Sequence, residues 1–251
     1  MKKVALITGA SAGLGVEFAR QLAKRGHRLV LVARRKERLE ELAKELGNAR
    51  AVAIDLSKAN AAAKLMADIE AAGEEVEILV NNAGFGLIGR FASLDAKRER
   101  QMIDLNVGVL TDLCRAVAPR MIERNSGGIV NVASTAAFQP GPNMAVYFAT
   151  KAFVLSLSEA LHEELKPHGV RVTCLCPGPT RTEFGEVAGF GGSGLFERVA
   201  MESPRVVEIG LKALDRNKAV VVAGALNRIG AASTRFAPRA VVRKIAGAIK
   251  Y

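Results

Sequence analysis

The chain has 251 residues, 49% of them hydrophobic and 24% charged, which is enough to bury a full core in one large α/β domain. No apolar run approaches the roughly 20 residues that span a bilayer, and Met1-Lys2-Lys3 leads at once into the strand-like V-A-L-I-T rather than a signal sequence, so a cytoplasmic protein is expected. The net charge of +11 is uneven, with eight cations and no acid from Arg216 to Tyr251, which points the C-terminal face toward acidic partners.

In chain order, Lys3 to Thr8 reads as a buried parallel strand feeding T-G-A-S-A-G-L-G, Thr8 to Gly15. Glycines there allow a tight turn and close approach to a pyrophosphate. The following helix, Gly13 to Arg25, aims its N-terminal amides at the anion. A second strand, Arg28 to Ala33, completes the unit. About 20 residues beyond Gly13, where an NAD site carries an acid for the ribose, the chain reads Ala33-Arg34-Arg35-Lys36. Cations at that point suit a 2′-phosphate, so NADP is the expected cofactor.

Alternation then continues: helix Glu37 to Leu46 ended by Gly47, strand Arg50 to Ile54 closed by Asp55 and Leu56, helix Lys58 to Ala72 stopped by Gly73. Strand Val76 to Val80 opens into Asn81-Asn82-Ala83-Gly84, and a glycine-bearing loop, Phe85 to Phe91, precedes one long helical pattern from Lys97 to Arg124. Asn106 inside that pattern reads as a satisfied core amide, a tolerated surface residue, or the mark of a kink that frees a carbonyl.

Strand Gly128 to Ala133 ends at Ser134, at the carboxyl edge where ligands gather in open parallel sheets. A turn from Gln139 to Asn143 follows, and then a helix on which Tyr147 and Lys151, four residues apart, share a face. A cation beside a phenol favours the phenolate and fits it for acid and base work; taken alone, the pair also reads as a solvated helix face. Strand Val170 to Leu175 leads to Pro177-Gly178-Pro179-Thr180-Arg181-Thr182. The segment Glu183 to Pro204, rich in glycine, reads as a lid. Helix Val206 to Leu214 and strand Ala219 to Val222 end the alternation. Cys114, Cys174 and Cys176 read as buried thiols with no metal-ligand spacing, and His27, His162 and His168 form no triad. The whole predicts a single-domain, Rossmann-like doubly wound parallel sheet of six to seven strands.

In order and spacing, the loop Thr8 to Gly15, Asp55, Asn81 to Gly84, Asn106, Ser134, Tyr147 to Lys151, and Pro177-Gly178 with Thr182 resemble the classical short-chain dehydrogenase/reductase family up to about residue 222. The resemblance implies hydride transfer between nicotinamide and a ketone or secondary alcohol. Tyr147 would be the general acid or base. Lys151 would hold the nicotinamide ribose and lower the tyrosine pKa. Ser134 would bind the substrate oxygen, and Asn106 a water leading to Lys151. It further implies cofactor contacts from Gly9, Ser11, Ala12, Gly13, Leu14, Gly15, Arg34, Arg35, Asp55, Leu56, Asn82, Ala83, Gly84, Pro177, Gly178 and Thr182. Ala12 departs from the basic residue that some NADP-dependent members carry. The alternative is a non-catalytic NADP-binding regulatory or membrane-associated protein.

The loops nearest the catalytic pair offer Gly86, Leu87, Ile88, Phe138 and Met144 and no charged anchor, so an apolar or carrier-bound acyl ketone is the expected substrate. No metal and no nucleic acid are expected. Beyond the family's common core, Pro238 starts a helix on which Val241, Val242, Ile245 and Ile249 align, flanked by cations. Three readings stand: a subunit contact or active-site cover, an interfacial helix on anionic lipid, or a solvated basic tail. The first agrees with the family's habit of forming homodimers and homotetramers.

Overall fold

Val4 and Leu6 belong to one apolar cluster and Ala5 and Ile7 to another, because successive side chains of strand β1 (Lys2–Thr8) point to opposite faces of a sheet covered on both sides. The computed structural model, which describes residues 1–185 and 200–248, shows how that sheet is built. Strands β2 (Arg28–Ala33), β3 (Ala49–Ala53), β4 (Glu74–Asn81), β5 (Gly127–Val132), β6 (Val170–Cys176) and β7 (Val220–Val222) join β1 in the order β3-β2-β1-β4-β5-β6-β7. Every neighbouring pair is parallel.

Helices α1 (Gly13–Lys24), α2 (Lys36–Leu46) and α7 (Ser203–Asp215) cover one face through Phe18, Leu22, Leu39, Leu211 and Leu214. Helices α3 (Ala61–Ala71), α5 (Leu110–Glu123) and α6 (Ala145–Leu165) cover the other through Leu65, Ile69, Leu113, Met121 and Val154. Strand order reverses between β1 and β4, and this is where a crevice opens at the carboxyl ends of the strands.

Three departures from the sequence reading have local causes. Helix α3 begins at Ala61 rather than Lys58, because the Asp55 carboxylate captures the Ser57 N–H and hydroxyl and Asn60 turns left-handed at φ 60° before the helix can start. The long pattern from Lys97 to Arg124 is not one α-helix. Helix α4 (Ala96–Ile103), capped by Asp95, passes through a π-helical stretch, Asp104–Val109, into α5. Beyond β7, a helix α8 (Ala225–Ser233) precedes the expected C-terminal helix α9 (Arg239–Ala248). On α9 the apolar residues do not share one side: Val242 and Ala246 are buried, whereas Val241 and Ile245 face outward. Gly247 packs toward Pro142, which places α9 beside the turn before α6. Of the segment read as a lid, residues 186–199 lie outside the described residues, as do Ile249 and Lys250. No helix among the described residues is long and apolar enough to cross a membrane.

Candidate active site

The loop after β1 is held from the side by the loop after β4. Thr8 Oγ1 accepts the N–H groups of Asn82 and Ala83, both at 3.0 Å, while Asn82 Nδ2 donates to the carbonyls of Thr8 and Gly9. Gly9 has φ 67°, and a Cβ on Gly15 would overlap the Gly9 carbonyl oxygen, so side chains are excluded where this turn closes. Gly15 therefore serves packing. It does not reach the cavity wall, although Gly9, Ser11, Ala12, Gly13 and Leu14 do.

From that loop one cavity of about 600 Å³ runs along the carboxyl edge of the sheet. At its outer end stand Arg34, Arg35, Asp55 and Leu56. Burial raises the Asp55 carboxyl, but hydrogen bonds from the Ser57 hydroxyl and amide, with the Arg34 charge, outweigh it and hold the group below the usual carboxylate range. Arg34 is exposed and makes no hydrogen bond or ion pair among the described residues. Arg35 is engaged, donating to Ser11 Oγ at 3.1 Å and to Glu183 at 2.9 Å, and Arg38 joins the same carboxylate. Glu183, at the start of the expected lid, is thus tied to the rim of the phosphate loop.

Midway lie Asn82, Ala83 and Gly84, then Pro177, Gly178 and Thr182, all on the cavity wall. The Pro177 carbonyl accepts the Thr135 N–H at 2.8 Å, fixing the turn after β6 against the one after β5. Thr182 packs directly over Gly13 and its hydroxyl accepts the Phe184 N–H.

Ser134, Tyr147 and Lys151 meet at the inner end. Ser134 Oγ accepts the Ala136 N–H at 3.1 Å. Lys151 donates to the Val132 carbonyl at 2.8 Å, and its Nζ stands 5.8 Å from the centre of the Tyr147 ring. Lys151 is not among the groups that shift the phenol here. Burial pushes Tyr147 up to about 12, opposed only by a hydrogen bond from Ser134, and burial brings Lys151 down to about 8 despite the nearby Cys174 and Cys176. Burial thus shifts both groups toward their neutral forms, the phenol up and the amine down.

Asn106 stands behind the wall rather than on it. It is 1% exposed, its Oδ1 accepts the Phe85 N–H at 3.2 Å, and its Nδ2 donates to the Phe85 carbonyl at 3.0 Å and to Thr150 Oγ1 at 3.2 Å. The satisfied amide is therefore the reading the structure supports, and it sits within a π-helical irregularity.

The sequence reading missed Arg98 and Gln101. Both lie on α4 and line the inner cavity, with the Arg98 guanidinium 5.2 Å above the Phe85 ring. The substrate end is therefore not without a charged anchor. Nothing in K-R-E-R-Q singles these two out; only the path of α4 across the crevice does. Among the described residues no cluster of His, Cys, Asp and Glu could hold a metal, and all three cysteines are free and buried.

A glycine loop that admits backbone approach, joined by one cavity to an exposed arginine and to a buried Ser-Tyr-Lys group, fits a dinucleotide with its reactive ring inward. This defines the class: a dinucleotide-dependent oxidoreductase. Residues 3–189 match the family model described as short chain dehydrogenase, and the chain belongs to that family. It is 40% identical over 199 residues to the NADP-dependent 3-hydroxy acid dehydrogenase of Escherichia coli, covering 78% of this chain and 80% of that protein. It resembles the solved short-chain dehydrogenase from Sphingobium yanoikuyae in complex with NADPH (35% identity, TM-score 0.83, 100% of this chain and 99% of that one). It also resembles the bulky-bulky ketone specific alcohol dehydrogenase from Comamonas testosteroni (32% identity, TM-score 0.78, 100% and 97%).

Proposed function

We propose that this oxidoreductase uses NADP to interconvert a ketone and a secondary alcohol. The observation that carries the reading is the continuity of a single cavity from the phosphate loop and Arg34 to Ser134, Tyr147 and Lys151. When bound, the nicotinamide supplies or accepts the hydride at the carbonyl carbon. Tyr147, which keeps its proton at neutral pH, gives it to the carbonyl oxygen, and Ser134 hydrogen-bonds that oxygen. Lys151 holds the nicotinamide ribose, and in its charged form favours the phenolate as the proton leaves. Arg34 takes the 2′-phosphate with Arg35, Asp55 the adenine, and Thr182 with Pro177 and Gly178 the carboxamide. The NADP preference is supported by the absence of an acid at Ala33 and by the relatives bound to or dependent on that cofactor.

The inner wall, with Phe85, Met144, Phe148 and Phe184, supports an apolar or acyl-chain ketone. Arg98 favours a second reading of the same pocket, in which the substrate carries an acidic group, as a hydroxy acid or a carrier-linked acyl chain does. A cytoplasmic homodimer or homotetramer belongs to this proposal on family habit alone. Its central test is Tyr147→Phe, which removes the transferable proton and leaves the ring. Turnover of any accepted ketone should fall by about two to four decades with NADPH binding retained; undiminished turnover would refute the assignment.

A further inference from the structure

Most large apolar side chains of α8, α9 and the turn between them are outside. Leu226 is 79% exposed, Ile229 65%, Phe236 88% and Ile245 61%, with Val241 also exposed. Elsewhere among the described residues only Met1, Phe91 and Phe153 are large, apolar and exposed. Leu226 and Ile229 lie three residues apart and Val241 and Ile245 four apart, so each pair occupies one side of its helix. What these helices bury is mostly small: Ala231 from α8, Val242 and Ala246 from α9. An apolar set this concentrated marks a contact surface.

The charge around it limits the occupant. Arg228, Arg235, Arg239, Arg243 and Lys244 are exposed, none forms an ion pair among the described residues, and the sequence has no acid beyond Asp215. A two-fold contact places one surface against itself, so a second copy would oppose cation to cation. A bilayer with anionic headgroups is complementary in both respects, taking the apolar side chains at its acyl boundary while the arginines and lysine meet phosphates.

We propose that the α8–α9 face is a docking surface for an anionic lipid bilayer. Because α9 packs by Pro142 on the turn leading into α6, docking places the bilayer next to the wall that holds Met144 and Tyr147. Docking is separate from turnover and does not require the reaction proposed above.

The test is flotation of the full chain with phosphatidylglycerol/phosphatidylcholine vesicles and with pure phosphatidylcholine. Binding should be roughly tenfold or more stronger to the anionic vesicles, and about 0.5 M salt should weaken it by screening. The triple variant Leu226→Ser/Ile229→Ser/Phe236→Ser and the charge variant Arg239→Gln/Arg243→Gln/Lys244→Gln should each lose flotation while keeping wild-type turnover of a soluble ketone. Hydrogen exchange of the unaltered protein gives a readout independent of variant folding: amides of α8 and α9 should gain protection with anionic vesicles alone. Equal binding to both vesicle types, no binding, or exchange unchanged by vesicles would overturn the proposal. So would an apolar variant that turns an oligomer into a monomer by sedimentation without altering flotation, which assigns the face to a second copy.

Discussion

The Lys151 ammonium nitrogen lies 5.8 Å from the centre of the Tyr147 ring, and the burial they share moves the phenol up to about 12 and the amine down to about 8. The lysine therefore titrates not far above neutrality, while the tyrosine stays protonated, as the acid role proposed for it requires.

This makes stability depend on pH in a definite direction. The native amine has a pKa of about 8 against its ordinary 10.5, so the unfolded chain binds that proton more tightly. The burial penalty is present in full below about pH 8 and is relieved as pH rises toward 10.5. Urea midpoints measured from pH 7.5 to pH 9.5 should contain a rising component that Lys151→Met removes, the two charge states of Lys151 bracketing this window. A rise of the same size in Lys151→Met would show that another group causes it.

Arg34→Ala should weaken NADPH binding far more than NADH binding, because Arg34 is the exposed arginine beside Asp55 that forms no ion pair among the described residues, whereas Arg35 is shared with Glu183. A charge-assisted contact is worth about 1.5 to 3 kcal/mol, or roughly ten- to a hundredfold in Kd. Fluorescence titration of both cofactors reads it directly, and equal losses for the two would place the 2′-phosphate elsewhere.

Arg98→Ala separates the two substrate readings. For a ketone carrying a carboxylate, KM should rise by roughly tenfold or more with kcat little changed, the pattern of lost uniform binding. For a neutral apolar ketone KM should stay near its wild-type value. If both respond alike, the guanidinium is supporting Phe85 rather than reading the substrate.

Gly15→Ala should destabilise the fold as well as the cofactor site, since the new methyl overlaps the Gly9 carbonyl across the turn. Overpacking of this kind costs about 1 to 3 kcal/mol. Thermal unfolding without cofactor is the measurement. A variant that loses NADPH affinity at unchanged Tm would contradict the packing role.

The parallel sheet was legible because each buried strand announces itself as a short run of Val, Leu and Ile punctuated by glycine or a polar cap, and the Thr8 to Gly15 loop was legible because its glycines fall between strand and helix. Tyr147, Lys151 and Ser134 could be singled out by spacing and position. Arg98 could not, because its neighbours in sequence are charged and solvated, and its place at the cavity depends on how α4 crosses the sheet edge. The inversion on α8 and α9 was hidden for a related reason: an apolar residue at helical spacing looks the same whether it faces the core or the solvent. Periodicity alone could not assign Val242 inward and Val241 outward. Spacing places the lysine beside the phenol but carries no measure of burial, which sets the direction of the Tyr147 shift.

The paired hydrogen bonds between the Asn106 side chain and the backbone of Phe85 work like a base pair, one donor and one acceptor on each partner. An aspartate has no N–H to offer the Phe85 carbonyl and a leucine matches neither group, so among common replacements none of similar size satisfies both edges. The letter at position 106 is thus dictated by a loop that contributes no regular structure of its own. The same amide thus anchors the backbone of Phe85, whose ring lies beneath the Arg98 guanidinium. A residue that never touches the cavity in this way holds in place the backbone of one that lines it.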